Sequence, residues 1–509
     1  MPPVTDPPHR GLIVLAVMSA AVLVVLDMTI VNVAMPHMAG ALGASQEEIS
    51  WVLTSYLIAS AVFMPLTGFM VDRFGQRRVL LVSIAGFVAA SAACGLAQNL
   101  PSMLIFRTIQ GAFGAPLVPL SQAILTATTP PEQRGRAMAL WGMGVMLGPV
   151  FGPTLGGWLT QTFDWRWIFY INLPVGVMAL LVGARAVPES ARHPRVLDWR
   201  GAGLAALAIA ALQLALDRGN LDGWLGSPFI VGCLAVSALA FVAFLAYALT
   251  TQRHPVFNLR VFADRNFAAA TAIIGVLGLG MFGALAVQPI MLETLLDYPA
   301  LTAGWVMAPR GLASFVAMLV AGRLIGRVDT RWLVGSGMVL AAAGSHYMAG
   351  LTLDISPWAA IWPGLLQGAG MGLMMVPLSA LALSTLTPAL QAEAAGLFSL
   401  MRTLGSSVGI AVVASVVSHE TQIVWHQLGA HVQPYNPALG NWLRPLHGTP
   451  NDPAALAAIA AEMARQASMQ AVLDAYALIA WSFVAMLPLL LLLRGGVTKP
   501  ADPTVMEAG

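Results

Sequence analysis

An acid stands where a membrane-spanning helix should be apolar. Gly11 to Leu26 carries no charge, and the run continues Leu26-Asp27-Met28-Thr29-Ile30-Val31-Asn32-Val33-Ala34-Met35-Pro36. A carboxylate near mid-bilayer costs about 2.5–3.5 kcal/mol on insertion scales, so Asp27 either marks an ion or substrate pathway or is satisfied by a neighbouring helix. A cation in a later apolar run, Arg107, stands three residues before Gln110. Helix rise puts Asp27 about 24 Å from one membrane face and Arg107 about 9 Å from the other. In a core about 30 Å thick these depths nearly coincide, so the two side chains can pair, or Arg107 can snorkel outward. The pair suits proton coupling. Desolvation favours a neutral aspartate, a nearby guanidinium favours the charged one, and a water-filled vestibule removes the desolvation.

Other residues could act around that pair. Gly144, Gly148, Gly152 and Gly156 recur every four residues, with Pro149, Pro153 and Gly157 among them. Such a face admits a second helix closely, and two prolines in one span point to bending and gating as well as packing. Gly68-Phe69-Met70-Val71-Asp72-Arg73-Phe74-Gly75-Gln76-Arg77-Arg78 gathers charges and glycines at a span end. It reads as a latch between helix ends, or simply as an orientation signal. Gln367 with Met371, Met374 and Met375 forms a deformable wall suited to binding, although methionine more often fills cores. Asn32, Gln110 and Gln288 are further candidates for a polar cavity lining, and Arg310 and Arg402 are further intramembrane cations.

The elements that must hold these residues follow from composition. Of 509 residues, 58% are hydrophobic and 9% charged, which identifies an all-α polytopic membrane protein, since runs this long can span only as helices. Fourteen spans fit, at 11–35, 50–71, 79–97, 101–125, 137–160, 167–187, 201–217, 227–249, 267–290, 302–325, 332–352, 358–382, 397–418 and 471–493. All but one of the 25 basic side chains are arginine. They cluster in alternate connections, which puts those connections and both termini in the cytoplasm. Trp51, Trp165, Trp167, Trp224 and Trp358 fall at outer span ends and read as an interfacial belt. The first apolar run exceeds signal-peptide length and has no small-residue cleavage site, so it reads as a retained span.

An internal repeat organises the spans. Gln110-Gly111-Ala112, Pro119-Leu120-Ser121 and Thr129-Pro130 return as Gln367-Gly368-Ala369, Pro377-Leu378-Ser379 and Thr387-Pro388. Arg73 and Arg77 likewise return as Arg327 and Arg331. Six helices, two inserted ones and six more satisfy this pattern, with an N-terminal bundle at 1–190, the insertion at 191–265 and a C-terminal bundle at 266–509. Parallel repeats of this kind are a transporter design, with the substrate site between the halves. Where Arg107 repeats, the C-terminal half has Gly364, so coupling is expected in the N-terminal half. The polar stretch 419–470 reads as an extracytoplasmic loop, its segment Pro453–Met469 as an amphipathic helix lying on the membrane or against a partner.

Several classes find no support. No basic patch with interleaved aromatics suggests nucleic acid. Neither a zinc-protease motif nor a nucleophile with its base suggests an enzyme. Cys94 and Cys233 match no metal or redox spacing, and His419, His426, His431 and His447 match no ligand pattern. A non-transporting receptor or scaffold would leave Asp27 and Arg107 without purpose.

The motifs together resemble those of the fourteen-span drug:proton antiporters of the major facilitator superfamily, and most closely the EmrB/QacA type. Leu26 to Pro36 is similar to that family's first-span motif, with Met35 where leucine is usual. Gly68 to Arg78 resembles the superfamily's signature loop, with Gly68, Asp72, Arg73, Gly75, Arg77 and Arg78 in register. Arg107-Thr108-Ile109-Gln110-Gly111 resembles the fourth-span motif assigned to proton transfer. Gly148-Pro149-Val150-Phe151-Gly152-Pro153 with Gly156-Gly157 resembles the antiporter motif. Trp165 to Pro174 and Leu216-Asp217-Arg218-Gly219 resemble the EmrB branch. The resemblance implies a major facilitator fold and export of hydrophobic drugs or toxic compounds in exchange for protons. It implies Asp27 and Arg107 as coupling residues, no cofactor beyond the proton gradient, and a place in the bacterial inner membrane. A periplasmic adaptor and an outer-membrane channel are the partners it implies, and a dedicated exporter of one metabolite or siderophore is the alternative with the same fold.

Overall fold

The computed structural model describes residues 10–190, 192, 198–250, 259–386, 390–433, 439 and 452–493. Every expected span is helical. The N-terminal helices are α1 (Arg10–Leu42), α2 (Trp51–Phe63), continued through a 3-10 turn into α3 (Thr67–Phe74), α4 (Gln76–Gly95), α5 (Leu100–Gly114), α6 (Leu117–Thr128), α7 (Pro131–Thr162) and α8 (Asn172–Ala186). The insertion is α9 (Trp199–Asp222) and α10 (Pro228–Thr250). The rest are α11 (Arg265–Pro289), α12 (Ala300–Leu324), α13 (Thr330–Met348), α14 (Pro357–Ser384), α15 (Gln391–His431) and α16 (Pro453–Met486). Among the described residues, 12 helical segments are long and apolar enough to cross a membrane. α13, which carries Arg331 and His346, falls outside that set by composition.

Local chemistry sets the helix ends. Asn99 Oδ1 accepts from the Ser102 amide at the start of α5, and Asp264 Oδ1 from that of Phe267 at the start of α11. Each satisfies an amide that the helix itself leaves free. Gly75, with φ 87°, turns the chain between α3 and α4 where a side chain would be strained. The repeated segments differ at one point. Pro116 separates α5 from α6, whereas the corresponding Met374 lets α14 run through unbroken.

Within the N-terminal half α1 packs on α7 and α8, and α5 on α2 and α4; within the C-terminal half α11 packs on α15, and α14 on α12 and α13. The halves meet along α7 with α12 and along α15 with α3 and α6. Inserted α9 lies against both α2 and α15, so it bridges the halves, while α10 packs on α9 and stays largely exposed.

The described residues of the expected loop over 419–470 are mostly helix. α15 has 41 residues, about 60 Å at 1.5 Å per residue, roughly twice the apolar thickness of a bilayer. Pro453–Met469 is not a separate surface helix but the first half of α16. Asp452 caps its start, an alanine-rich run has nothing to break it, and Ala455, Ile459 and Met463 pack with Val432 and Leu439. Polarity ended the apolar span without ending the helix. Trp165 is likewise not an interfacial residue: it is buried edge-on to Phe169.

Candidate functional site

Asp27 sits halfway along α1, and Arg107 reaches it from α5: Arg107 Nη1 donates to Asp27 Oδ2 at 2.6 Å, both side chains 0% exposed. Gln110 Nε2 and Asn172 Nδ2 each donate to Asp27 Oδ1 at 3.0 Å. One helical turn separates Arg107 from Gln110, so both face α1 and bond each other, Nη1 to Oε1, at 2.7 Å. Arg107 Nε donates to the carbonyl of Val52 on α2 at 3.2 Å, and the guanidinium lies over the Tyr56 ring, 4.3 Å from its centre. Four helices thus contribute to one buried carboxylate. Satisfied this way, a charge in a low-dielectric interior is stable, and removing one partner of such a pair costs about 3–5 kcal/mol.

Asn172, Ser91 and Tyr56 are the members that sequence reasoning missed. Asn172 Nδ2 also donates to Ser91 Oγ at 3.0 Å, and Ser91 Oγ donates to the Phe169 carbonyl at 2.9 Å. An asparagine at the start of a span, directly before Leu173-Pro174, was the one available signal. Cys94 packs here too, its thiol donating to Gln110 Oε1 at 3.6 Å.

The glycine stripe of α7 presses on the turn of α1 that carries the acid. A Cβ on Gly148 would lie 2.8 Å from the Val25 carbonyl carbon and 3.0 Å from the Leu26 nitrogen; one on Gly152 would lie 2.8 Å from Thr29 Cβ; one on Gly156 would lie 3.0 Å from the Ile30 oxygen. Thr29 Oγ1 donates to the Gly148 carbonyl at 3.0 Å. Gly157 points to open space, with nothing nearer than 3.9 Å. The side chains of Pro149 and Pro153 lie outside the described ones; α7 is helical through both. On the same helix a Cβ on Gly135 would lie 2.9 Å from the Gly322 oxygen of α12. So α7 touches the acid-bearing helix and the other half at once.

The Gly68–Arg78 segment ties helix ends together. Gly68 is set against Glu393 of α15, where a Cβ would come within 2.7 Å of its Cα. The Gln76 amide donates to Ser190 Oγ at 2.9 Å, and Arg77 donates to the Ala184 carbonyl at the end of α8. Asp72 and Arg73 are half-buried and exposed respectively and both have partners, while Arg78 is exposed.

The remaining candidates divide. Asn32 lies on the exposed side of α1, away from the Asp27 cluster. Gln367, Met371 and Met374 are buried in the C-terminal half, Gln367 Nε2 donating to Ser345 Oγ at 2.9 Å. Gln288 is buried there as well and accepts from Arg310. Arg402 is half-buried on α15. His419, His426 and His431 stand on α15, and His447 lies outside the described residues.

Comparison with known proteins extends this geometry. Residues 17–410 match the model of the Major Facilitator Superfamily. The multidrug export protein EmrB of Haemophilus influenzae is 36% identical over 439 residues, covering 85% of this chain and 86% of that protein. The fatty acid resistance protein FarB of Neisseria gonorrhoeae is 35% identical over 440 residues, again 85% and 86%. EmrB of Escherichia coli K12 is 35% identical over 427 residues, 83% of each. In fold, the crystal structure of the human organic anion transporter MFSD10 superposes with a TM-score of 0.62 at 18% identity, covering 95% of this chain and 100% of that one.

Proposed function

The chain belongs to the major facilitator superfamily, and we propose that it exports hydrophobic toxic compounds across the bacterial inner membrane in exchange for protons, with Asp27 and Arg107 as the coupling pair. The observation that carries this reading is the fully buried Asp27 carboxylate, held by three donors on the very turn of α1 that α7 grips. The relatives named for multidrug export support the transported class.

The chemistry follows from hydrogen-bond capacity. Ionised Asp27 only accepts, and all three of its bonds here are accepted ones. Protonation turns one oxygen into a donor, and none of the three donor atoms around it can accept that new O–H. Asn172 Oδ1 is buried and has no partner; turning the amide over would let it accept the new proton. The protonated acid no longer attracts Arg107, and the cost of keeping the guanidinium buried without its counter-charge favours the arrangement in which it reaches water. Because α7 contacts both α1 and α12, a shift at Asp27 reaches the seam between the halves. In the arrangement described, Asp27 is sealed from solvent and holds its proton state; exchange requires the halves to open to one side or the other.

Arginine placement orients the scheme, with both termini and the Arg-rich connections in the cytoplasm. The α15–α16 hairpin then projects outward. Its tip holds a cavity of about 190 Å³ lined by Leu428, Ile459 and Met463 among others, a docking point for an adaptor of a tripartite pump.

Proteoliposomes with an imposed pH gradient and a lipophilic dye test the coupling. Wild type should move the dye only with the gradient, and Asp27→Asn should not move it. Equal transport by both proteins would remove Asp27 from the mechanism.

A further inference from the structure

A second buried guanidinium lies in the C-terminal half, and among the described residues it has no carboxylate partner. Arg310 of α12 is 7% exposed. Its Nη1 donates to Gln288 Oε1 at 3.1 Å, and its Nη2 to the Met281 carbonyl at 3.4 Å and to Met371 Sδ at 3.6 Å. Among the described residues these are its only hydrogen-bond partners, and none is charged. Three further polar atoms near it or on its helix are buried without a partner: Gln288 Nε2, Tyr476 Oη, on α16 within electrostatic range of Arg310, and Ser314 Oγ one turn along α12.

The internal repeat shows what has changed between the halves. Arg73 returns as Arg327, and the same offset carries Tyr56 to Arg310. Packing agrees: a Cβ on Gly111 would lie 3.1 Å from Tyr56 Cα, and one on its counterpart Gly368 would lie 3.2 Å from Arg310 Cα. Gly364 replaces Arg107, and a Cβ there would stand 3.8 Å from that of Arg310. The cation is therefore retained at this place in the C-terminal half but is delivered from the neighbouring helix. The acid is not retained. α11, which takes the place of α1 in this half, carries no acidic residue along its length.

An arginine cannot neutralise itself by losing a proton, and a buried charge needs a counter-charge or a full set of hydrogen bonds. Arg310 lies about 15 Å along α12 from its start, near mid-membrane. Gly142 of α7 packs on Met318, and Arg310 is about a quarter turn round the helix from that seam-facing residue. It is thus placed to meet whatever enters between the halves.

We propose that Arg310, with Gln288 and Tyr476, binds the anionic group of a transported lipophilic acid, the substrate supplying the counter-charge that the chain omits. The methionine at 371 then faces the apolar body of the same molecule. This deepens the export reading and rests on it, naming a substrate class and the residue that selects it.

The test is equilibrium binding to the purified full-length chain in neutral detergent, without a gradient, using a dansyl-tagged undecanoic acid and the corresponding primary amide. Wild type should bind the acid about tenfold or more tightly than the amide, the size of one charge-assisted contact in a buried site. Arg310→Gln should bring the two affinities within about threefold of each other, and Arg310→Lys should keep part of the preference. Gln288→Glu, which supplies the carboxylate from within and relieves rather than creates an unpaired charge, should remove acid binding while sparing the amide. Equal binding of acid and amide by wild type, a comparison that needs no variant, would overturn the proposal. So would acid preference surviving in both Arg310→Gln and Gln288→Glu, or displacement of the acid by phosphatidylglycerol at equal concentration or by chloride, which would assign the cation to a lipid or an inorganic ion. Because no gradient is present, a failure of wild-type transport to depend on the proton gradient leaves this result unchanged.

Discussion

In the N-terminal half the buried guanidinium of Arg107 meets a carboxylate at 2.6 Å; in the C-terminal half that of Arg310 meets an amide, a carbonyl and a thioether. The two sites use corresponding helices: α1, α2, α5 and α8 in one, α11, α12, α14 and α16 in the other. The glutamine and serine of each repeat persist, as Gln110 and Ser91 on one side and Gln367 and Ser345 on the other. What differs is charge balance. A neutral pair can sit closed in hydrocarbon and change only when a proton arrives, whereas an unbalanced cation invites a second charge. On the two proposals made above, one symmetric architecture separates a driving-ion site from a recognition site.

The sharpest way to break this comparison is Asp27→Asn. Gradient-driven transport should fall by about two orders of magnitude, as for loss of a proton-transferring side chain, measured by dye flux in proteoliposomes. Asp27→Ala adds a structural penalty, since Arg107 would then be stranded like Arg310, left with only the Gln110 amide and the Val52 carbonyl; thermal unfolding in detergent should register about 3–5 kcal/mol.

Arg107→Lys keeps the charge but cannot reach Asp27, Gln110 and the Val52 carbonyl together. A loss of about tenfold in coupled transport is expected, equivalent to one buried hydrogen bond to a charged group.

The α1–α7 contact supplies an intermediate effect. Gly152→Ala places a methyl 2.8 Å from Thr29 Cβ, whereas Gly157→Ala meets nothing within 3.9 Å. The first should cost about 1–3 kcal/mol and slow transport, and the second should stay within about 0.5 kcal/mol of wild type. Equal effects would show that the stripe does not transmit anything from Asp27.

The smallest test compares repeat-related serines. Ser91→Ala removes one of the two bonds that orient the Asn172 amide, so the pH of half-maximal transport should shift by less than about one unit. Ser345→Ala, which frees Gln367, should leave that pH unmoved.

Much of this was readable because charge is conspicuous in oil. Asp27 and Arg107 stand out among apolar neighbours, and helix rise alone placed them at similar depth. The Gly148–Gly152–Gly156 spacing announced a close helix contact. The partner of that contact was not readable, since a small-residue face does not say which helix will fill it. Asn172, Ser91 and Tyr56 come from chain segments far from Asp27, and which way each points depends on rotations set by packing. Residues 419–470 misled through composition: hydropathy reports where the membrane ends, but a helix continues for as long as its hydrogen bonds and a packing partner persist. Trp165 misled similarly, as an aromatic at a span end can turn inward as readily as toward the interface.

Sequence by itself determined that this chain is a many-span helical protein with an internal repeat, an acid at membrane depth and arginines in apolar runs. Those properties follow from transfer energies and a fixed helix rise, which act residue by residue. Only the tertiary structure decided that Arg107 has a carboxylate and that Arg310 has none among the described residues, because pairing depends on which helix faces reach one point in space, and that is a property of the whole bundle.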